Sequence, residues 1–261
     1  MQHSAIHQGT SSAGAADVRV SVVIPVKDDA RLLDRSLRDL AGQTRPPDEV
    51  IVVDNASSDD TAAVAARYGA RVVFEARAGI PAAAATGYDA ATGDVLLRCD
   101  ADCRLPADWI ARAVRAFDDP RVAAVTGTAR FSDLPPRARR FSRLLSGLYL
   151  GAYRVGTGIA LGHVPLFGSN LGIRTTAWKA VRGSVHRDDP ELHDDLDLSI
   201  HLGSRQRILF DPDLVVGISW RPFQKGGDVR RRFRRGFHTI VLHWPAELPP
   251  YRLARRLRRG A

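Results

Sequence analysis

The chain has 261 residues, of which 44% are hydrophobic, with 38 Lys and Arg against 29 Asp and Glu. This composition is ordinary for a globular protein with a sizeable core, and it excludes a disordered chain, a collagen and a disulfide scaffold. The net charge of +9 comes from residues 223–261 alone, and the neutral remainder lacks the uniformly basic surface of a nucleic-acid-binding protein, so we expect no nucleic-acid partner.

The first 17 residues are rich in Ser, Ala, Gly and His and lack the basic start and apolar stretch of a signal peptide. They predict a disordered leader. No run of about 18 uncharged apolar residues occurs in the sequence, so a conventional membrane-spanning helix is not expected. These two features favour a cytoplasmic protein.

From residue 18 onward, short apolar runs alternate with helical patterns. Strands are predicted at Val20–Val26, Val50–Val53, Arg71–Phe74 and Val95–Cys99, and helices at 30–41, 59–68, 81–91 and 106–117. This alternation predicts βαβ units and an α/β fold with a mostly parallel central sheet flanked by helices.

After residue 130 the alternation is less regular. We expect an amphipathic helix at 137–150, a flexible glycine-containing segment at 156–162, strands at 167–173 and 208–210, and helices at 175–181 and 194–202. Residues 156–162 do not fit a dinucleotide-binding loop, because their glycines have a different spacing and no clear strand leads into them.

Acidic side chains follow two of the predicted strands. Asp100 and Asp102 come directly after the strand that ends at Cys99, and Asp54 ends the second strand. Ligands of open parallel sheets bind beyond the carboxyl ends of the strands. Two carboxylates one residue apart suit a hard divalent cation shared with phosphates, although a solvated acidic turn has the same sequence. A carboxylate such as Asp54 can accept hydrogen bonds from a base or a ribose.

Four segments of the chain together resemble the inverting family 2 glycosyltransferases of GT-A fold. The matching residues are Pro25 and Asp28; Gln43, Thr44, Pro47, Glu49, Asp54, Asn55, Ser57, Asp59 and Thr61; Gly93, Asp94, Asp100, Ala101 and Asp102; Gly168 and Asn170; and the acidic helix start at Asp194–Leu198. The resemblance implies a GT-A catalytic domain over residues 18–222, followed by a basic tail over 223–261. It also implies a metal-dependent enzyme that moves a sugar from a nucleotide-diphosphate sugar to an acceptor hydroxyl.

The same resemblance assigns expected roles on the donor side. Asp54 would bind the nucleotide base, and Pro25 and Asp28 would line the nucleotide pocket. Asp102 would hold Mn²⁺ or Mg²⁺ on the sugar-nucleotide diphosphate, and Asp100 would support the ribose or the metal. Such a cation neutralises the diphosphate as it leaves.

On the acceptor side, the resemblance makes Asp195 the general base. Asp194 occupies the position where the family usually has Glu, so the base is uncertain by one position. The family commonly has an Arg-Asn pair that helps to bind the donor, but this chain has Ala84 and Ala85 there, and Arg77 is a candidate substitute. This departure keeps open an alternative function, a catalytically weak sugar-nucleotide-binding protein.

The tail carries 11 basic residues against two acidic ones. Residues 229–244 place apolar side chains at helical intervals behind a run of arginines, and residues 251–259 form a second basic segment. Basic amphipathic helices with aromatic residues are typical of membrane-surface binding. We therefore expect residues 229–259 to contact an anionic membrane, at the inner face of the plasma membrane, and the acceptor to be lipid-linked or membrane-proximal. A helix packed on the body and a polyanion-binding tail are the alternatives.

The histidines do not show the spacing of a zinc site, because His163, His193 and His201 lack partners at the usual intervals. His193 adjoins the predicted base and is a candidate for substrate contact. His238 and His243 are expected in an interface or in the core.

Overall fold

The computed structural model describes residues 18–203, 206–223 and 226–244. The predicted leader at 1–17 and the second basic segment at 251–259 lie outside the described residues.

A seven-stranded sheet forms the centre of this structure. The strands are β1 (Val20–Val26), β2 (Glu49–Asp54), β3 (Arg71–Phe74), β4 (Val95–Arg98), β5 (Val122–Phe131), β6 (Leu171–Arg174) and β7 (Arg207–Ile218). Their order in the sheet is β3-β2-β1-β4-β6-β5-β7. The pairings of β6 with β4 and β5 are antiparallel and the others are parallel, so the predicted mostly parallel sheet is confirmed.

Helices cover both faces of the sheet. They are α1 (Ala30–Ala41), α2 (Thr61–Arg67), α3 (Ile80–Ala90), α4 (Trp109–Arg115), α5 (Ser142–Leu161), α6 (Thr175–Val181), α7 (Asp194–Gly203) and α8 (Gly226–Leu242). One hydrophobic cluster joins the sheet to α1, α2 and α4, and a second joins it to α3, α6 and α7. Since the sheet is buried on both faces, all seven residues of β1 are buried, as expected for a parallel strand.

Helix α3 lies unusually close to the sheet. A Cβ atom on Gly87 would lie 2.3 Å from Cγ1 of Val23 and 2.8 Å from Cγ2 of Val53, so only glycine fits there. The neighbouring Ala83, Ala84 and Ala85 are also buried. This close packing holds the start of α3 beside the carboxyl ends of β1 and β2.

The second half of the structure differs from the sequence pattern in three places. Strand β5 is ten residues long and is not predicted by the sequence pattern. Strand β7 runs for 12 residues, and Pro212 is accommodated because β7 is the last strand of the described sheet. Residues 156–161 are not a flexible segment but the last part of α5, which is held by burial of Leu150 and Leu161 and ends at Gly162 with φ 70°.

Candidate active site

The carboxyl ends of β1, β2 and β4 enclose a cavity of about 260 Å³. Strand β1 lies between β2 and β4, so the cavity is at the point where the strand order reverses, which is the usual ligand site of open α/β sheets. The cavity is lined by Pro25, Val26, Lys27, Asp29, Asn55, Ile80, Ala83, Asp100, Ala101, Asp102, Arg221 and Arg232. It therefore combines three carboxylates with three cationic side chains.

Arg98, the last residue of β4, pairs with carboxylates from two distant parts of the chain. Its side chain is 2% exposed and forms a close ion pair with Asp194 and a second ion pair with Asp100 at 3.2 Å. A Cβ atom on Gly168 would lie 3.0 Å from Nη2 of Arg98, so the glycine provides the space that the guanidinium fills. Asp100, expected on the donor side, and Asp194, expected on the acceptor side, are therefore paired with the same buried guanidinium group.

Asp100 and Asp102 both lie on the turn after β4. The Ser169 hydroxyl donates a hydrogen bond of 2.6 Å to Asp100, and Arg221 lies 3.4 Å from Asp102. Burial, together with the charge of Asp100, raises the pKa of Asp102 to about 6. Two crowded carboxylates of this kind provide the hard oxygen ligands that Mg²⁺ and Mn²⁺ prefer, and a bound cation would relieve their repulsion. The residues present therefore fit a divalent metal.

Asp194 and Asp195 begin α7 and have different surroundings. Burial raises the pKa of Asp194, which is paired with Arg98. Asp195 instead accepts backbone hydrogen bonds of 2.8 Å from the N–H groups of Gly168 and Leu196. Because Gly168 precedes the serine that binds Asp100, one short segment links Asp195 to the predicted metal-binding turn.

The predicted nucleotide-pocket residues are placed less uniformly. Pro25 lines the cavity. Asp28 has φ 51° and accepts hydrogen bonds from the Ser58 backbone N–H at 2.7 Å and from its hydroxyl at 3.0 Å. Asp54 accepts a bond of 2.9 Å from the N–H of Ser57. Neither carboxylate is among the residues that line the cavity, so their donor-binding roles stay predictions.

Two side chains with no role in the site expected from the sequence, Asp29 and Arg232, also line the cavity. Asp29 receives two hydrogen bonds from Arg221, at 2.9 and 2.8 Å, and Arg221 bridges Asp29 and Asp102. Arg232 reaches the cavity from α8. Arg98 could have been noticed in the sequence, because it is a lone arginine in the otherwise apolar run of β4. Arg232 comes from a distant helix, and no local pattern connects it with the site.

Ala84 and Ala85 replace the family's Arg-Asn pair and are buried on α3. The candidate substitute Arg77 donates hydrogen bonds to Glu75 and to Asp188 and does not line the cavity. The cations that do line the cavity are Lys27, Arg221 and Arg232.

Helix α8 packs on the body beside the cavity. Glu191 forms ion pairs with Arg231, Arg234 and Arg235. His193, a candidate for substrate contact, has its Nε2 2.9 Å from the backbone carbonyl oxygen of Arg232, so it takes part in the contact between α8 and the body. Several of the arginines at the start of the tail are therefore engaged by the body.

Two exposed apolar stripes lie on neighbouring helices. On α5 they comprise Leu144, Leu148, Val155 and Ile159, and on α8 Phe233 and Phe237, all at least 59% exposed. The two helices meet where Arg232 donates a hydrogen bond of 3.2 Å to the Tyr149 hydroxyl. None of the helices in the described ranges combines the length and apolar character needed to cross a membrane.

The sequence model of glycosyl transferase family 2 matches residues 21–175, more than half of the chain. The chain is 31% identical over 121 residues to the glycosyltransferase AglE of Haloferax volcanii, a match that covers 43% of this chain and 40% of AglE. It is 30% identical over 152 residues to the undecaprenyl-phosphate 4-deoxy-4-formamido-L-arabinose transferase of Pseudomonas syringae pv. syringae, covering 54% of this chain and 44% of that protein. In both cases the match spans less than half the length of the relative.

Among solved structures, the fold is similar to that of a mannosyltransferase from Pyrobaculum calidifontis in complex with GDP-Man and Mn²⁺. The TM-score is 0.58 and the sequence identity 22%, and the match covers 92% of this chain and 73% of that chain. At this identity the likeness shows the fold, and it confirms the predicted GT-A architecture.

Proposed function

The chain belongs to glycosyl transferase family 2, and we propose that it moves a sugar from a nucleotide-diphosphate sugar to an acceptor hydroxyl with inversion at the anomeric carbon. The main support is one arrangement of carboxylates at the end of the sheet. Asp100 and Asp195, predicted for donor and acceptor chemistry, are 95 positions apart in sequence and are joined through Gly168 and Ser169 at one end of the sheet. Arg98 also pairs Asp100 with Asp194, the neighbour of Asp195.

On the donor side, Asp102 and Asp100 would hold Mn²⁺ or Mg²⁺ against the diphosphate. The cation supplies charge neutralisation for the departing nucleoside diphosphate. Lys27, Arg221 and Arg232 line the same cavity and would contribute further positive charge around the phosphates. In this proposal Asp54 binds the base, and Pro25 and Asp28 shape the nucleotide pocket. Asp29 orients Arg221 through their two hydrogen bonds.

On the acceptor side, we assign the general base to Asp195. Asp194 is neutralised by its close ion pair with Arg98, whereas Asp195 is held in place by backbone N–H groups. The acceptor oxygen would lose its proton to the Asp195 carboxylate as it forms a bond to the anomeric carbon, and the bond from that carbon to the diphosphate oxygen would break. A single displacement of this kind from the opposite face inverts the configuration, and a positioned base typically contributes about 10²- to 10⁴-fold in rate.

We further propose that the acceptor is lipid-linked and is reached at an anionic membrane surface. The exposed apolar residues of α5 and α8, beside the cavity residue Arg232, support this proposal. The name of the Pseudomonas relative, undecaprenyl-phosphate 4-deoxy-4-formamido-L-arabinose transferase, includes a lipid phosphate and also supports this proposal. Each basic residue close to an anionic leaflet contributes on the order of 1 kcal/mol to such binding.

The donor assignment is tested by thermal unfolding with UDP-, GDP- and dTDP-sugars, each with and without Mn²⁺. We expect at least one donor to raise Tm only with the metal, and Asp102→Asn to remove that effect. Asp108→Asn is the matched control, because Asp108 is an exposed carboxylate paired with Arg112 outside the cavity. An unchanged metal-dependent shift in Asp102→Asn would contradict the assignment. Donor binding without any donor turnover would instead favour a catalytically weak sugar-nucleotide-binding protein.

A further inference from the structure

Four side chains that take no part in the proposed reaction converge at the junction of α7 and α8. Asp197 and His201 lie one turn apart on α7, His186 lies in the loop before it, and His243 directly follows α8. One possible ligand atom from each lies within 4.8 Å of those of the other three. The side chains of Asp197 and His243 are 4% and 6% exposed, so the centre of this group is buried.

The spacing of these atoms is that of ligands around one small ion. Oδ1 of Asp197 lies 2.8 Å from Nδ1 of His186, 3.0 Å from Nε2 of His243 and 3.4 Å from Nε2 of His201. The Nε2 atoms of His201 and His243 are 3.4 Å apart. In a tetrahedral zinc site with bonds of about 2.0 Å, neighbouring ligand atoms are about 3.3 Å apart.

Contacts behind the ligands orient them toward this centre. Nδ1 of His243 lies 2.7 Å from the carbonyl oxygen of Thr239, so this nitrogen donates and Nε2 is the ring nitrogen that faces the group. The backbone N–H of His186 donates a bond of 2.8 Å to Oδ2 of Asp197, which leaves Oδ1 facing the imidazoles. Hydrogen bonds of this kind from a ligand's second polar atom are typical of metal-binding histidines and carboxylates.

A neutral Nε2 lone pair directed at a carboxylate oxygen 3.0 Å away is repulsive unless a cation lies between them. Either a proton on the imidazole or a metal ion removes the repulsion. As neutral tautomers, His186 and His201 can each donate one N–H to Oδ1 of Asp197, so only His243 would need an added proton, whereas one dication would satisfy all four groups together. Three imidazole nitrogens and a carboxylate are a donor set that zinc favours, and it differs from the all-oxygen pair Asp100 and Asp102.

We propose that His186, Asp197, His201 and His243 bind one Zn²⁺ ion in a closed structural site that fixes α8 against α7. The sequence does not show the spacing of a zinc motif, because the four ligands come from a loop, from α7 and from the residue that follows α8. The proposed site holds in place the helix that carries Arg232 to the cavity, as well as the helix that begins with Asp194 and Asp195. The proposal departs from the expectation that His201 lacks metal-binding partners and that His243 lies in an interface or in the core.

The test is the zinc content of the full chain, purified without a polyhistidine tag and dialysed against buffer containing a small excess of zinc. We expect about one zinc per chain by elemental analysis. Cobalt, added to chelator-treated protein, should give the visible absorption bands of tetrahedral Co²⁺. His201→Asn and His243→Asn should each weaken zinc binding by about tenfold or more. His238→Asn is the matched control, since His238 also lies on α8 but pairs with Asp189.

A thermal measurement completes the test independently of sugar transfer. Chelation should lower the Tm of the wild-type chain, and Zn²⁺, but not Mg²⁺, should restore it. His186→Asn serves where the buried variants fail to fold, because the His186 side chain is 39% exposed. Absence of zinc from the folded wild-type chain, or equal zinc affinity in wild type and His186→Asn, would overturn the proposal. Neither result depends on whether the donor assignment is correct.

Discussion

Replacement of Arg98 by Met should destabilise the protein strongly, although Met fills much of the same space. The Arg98 side chain is 2% exposed and is paired with Asp194, which is 17% exposed, and with Asp100. Removing one partner of a buried ion pair leaves an uncompensated charge and typically costs about 3–5 kcal/mol. We therefore expect Arg98→Met to lower the free energy of unfolding by about that amount at neutral pH.

The loss should depend on pH in a defined direction. Burial already raises the pKa of Asp194, and without the guanidinium it should rise further. A carboxyl group whose pKa is higher in the folded than in the unfolded state binds its proton more tightly when folded, so protonation favours folding as the pH falls. The deficit of Arg98→Met should therefore be smaller at pH 5 than at pH 7.5.

Urea unfolding monitored by circular dichroism at both pH values measures this effect. Arg112→Met is the control, because Arg112 is exposed and its i,i+4 pair with Asp108 should contribute less than about 1 kcal/mol. Addition of Asp194→Asn to Arg98→Met should recover part of the loss. A deficit in Arg98→Met no larger than that in Arg112→Met, or one that grows on acidification, would refute the buried network.

Two further substitutions test the packing and the membrane surface. Gly87→Ala should lower the free energy of unfolding by about 1–3 kcal/mol, since its Cβ would overlap Val23 on β1. Gly147→Ala on α5, where the space around the glycine is open, should be neutral or stabilising by up to about 1 kcal/mol. Equal unfolding midpoints for the two variants would argue against the close packing of α3 on the sheet. Phe233→Ser combined with Phe237→Ser should weaken binding to anionic liposomes, measured by sedimentation, by about tenfold or more, because both rings are exposed on α8. Binding equal to that of wild type would show that these rings of α8 are not part of the proposed membrane surface.

The first half of the fold could be predicted because its signals are local. Strand β1 is a mainly apolar, β-branched run, and the helix after it repeats leucines at helical spacing, as in Leu33, Leu37 and Leu40. Strand β5 could not be predicted in this way. Its pairing partner β7 is distant in sequence, and Gly127 looks like a strand breaker until the chain is folded. A Cβ there would lie 2.0 Å from the carbonyl oxygen of Leu214, so glycine is required by that contact.

In the candidate site, too, some residues could be predicted from local sequence motifs and others could not. Asp100, Asp102 and the Asp194–Asp195 pair follow from motifs that are short in sequence. The ion pair between Arg98 and Asp194 joins residues 96 positions apart, so no local pattern could reveal that Asp194 is neutralised and Asp195 is not. The histidine cluster was missed for the same reason, because His243 lies 42 positions from His201. In both cases tertiary packing, rather than residue spacing, creates the chemistry.

The proposed role of Asp195 as the general base is tested by comparing Asp195→Asn with Asp194→Asn. Donor binding is measured by the Mn²⁺-dependent Tm shift, and transfer by release of nucleoside diphosphate in the presence of acceptor. We predict that Asp195→Asn keeps donor binding and loses transfer by about 10²- to 10⁴-fold. Asp194→Asn should lose less, because its carboxylate serves mainly to pair with Arg98. Full transfer activity in Asp195→Asn, with activity lost in Asp194→Asn, would contradict the assignment.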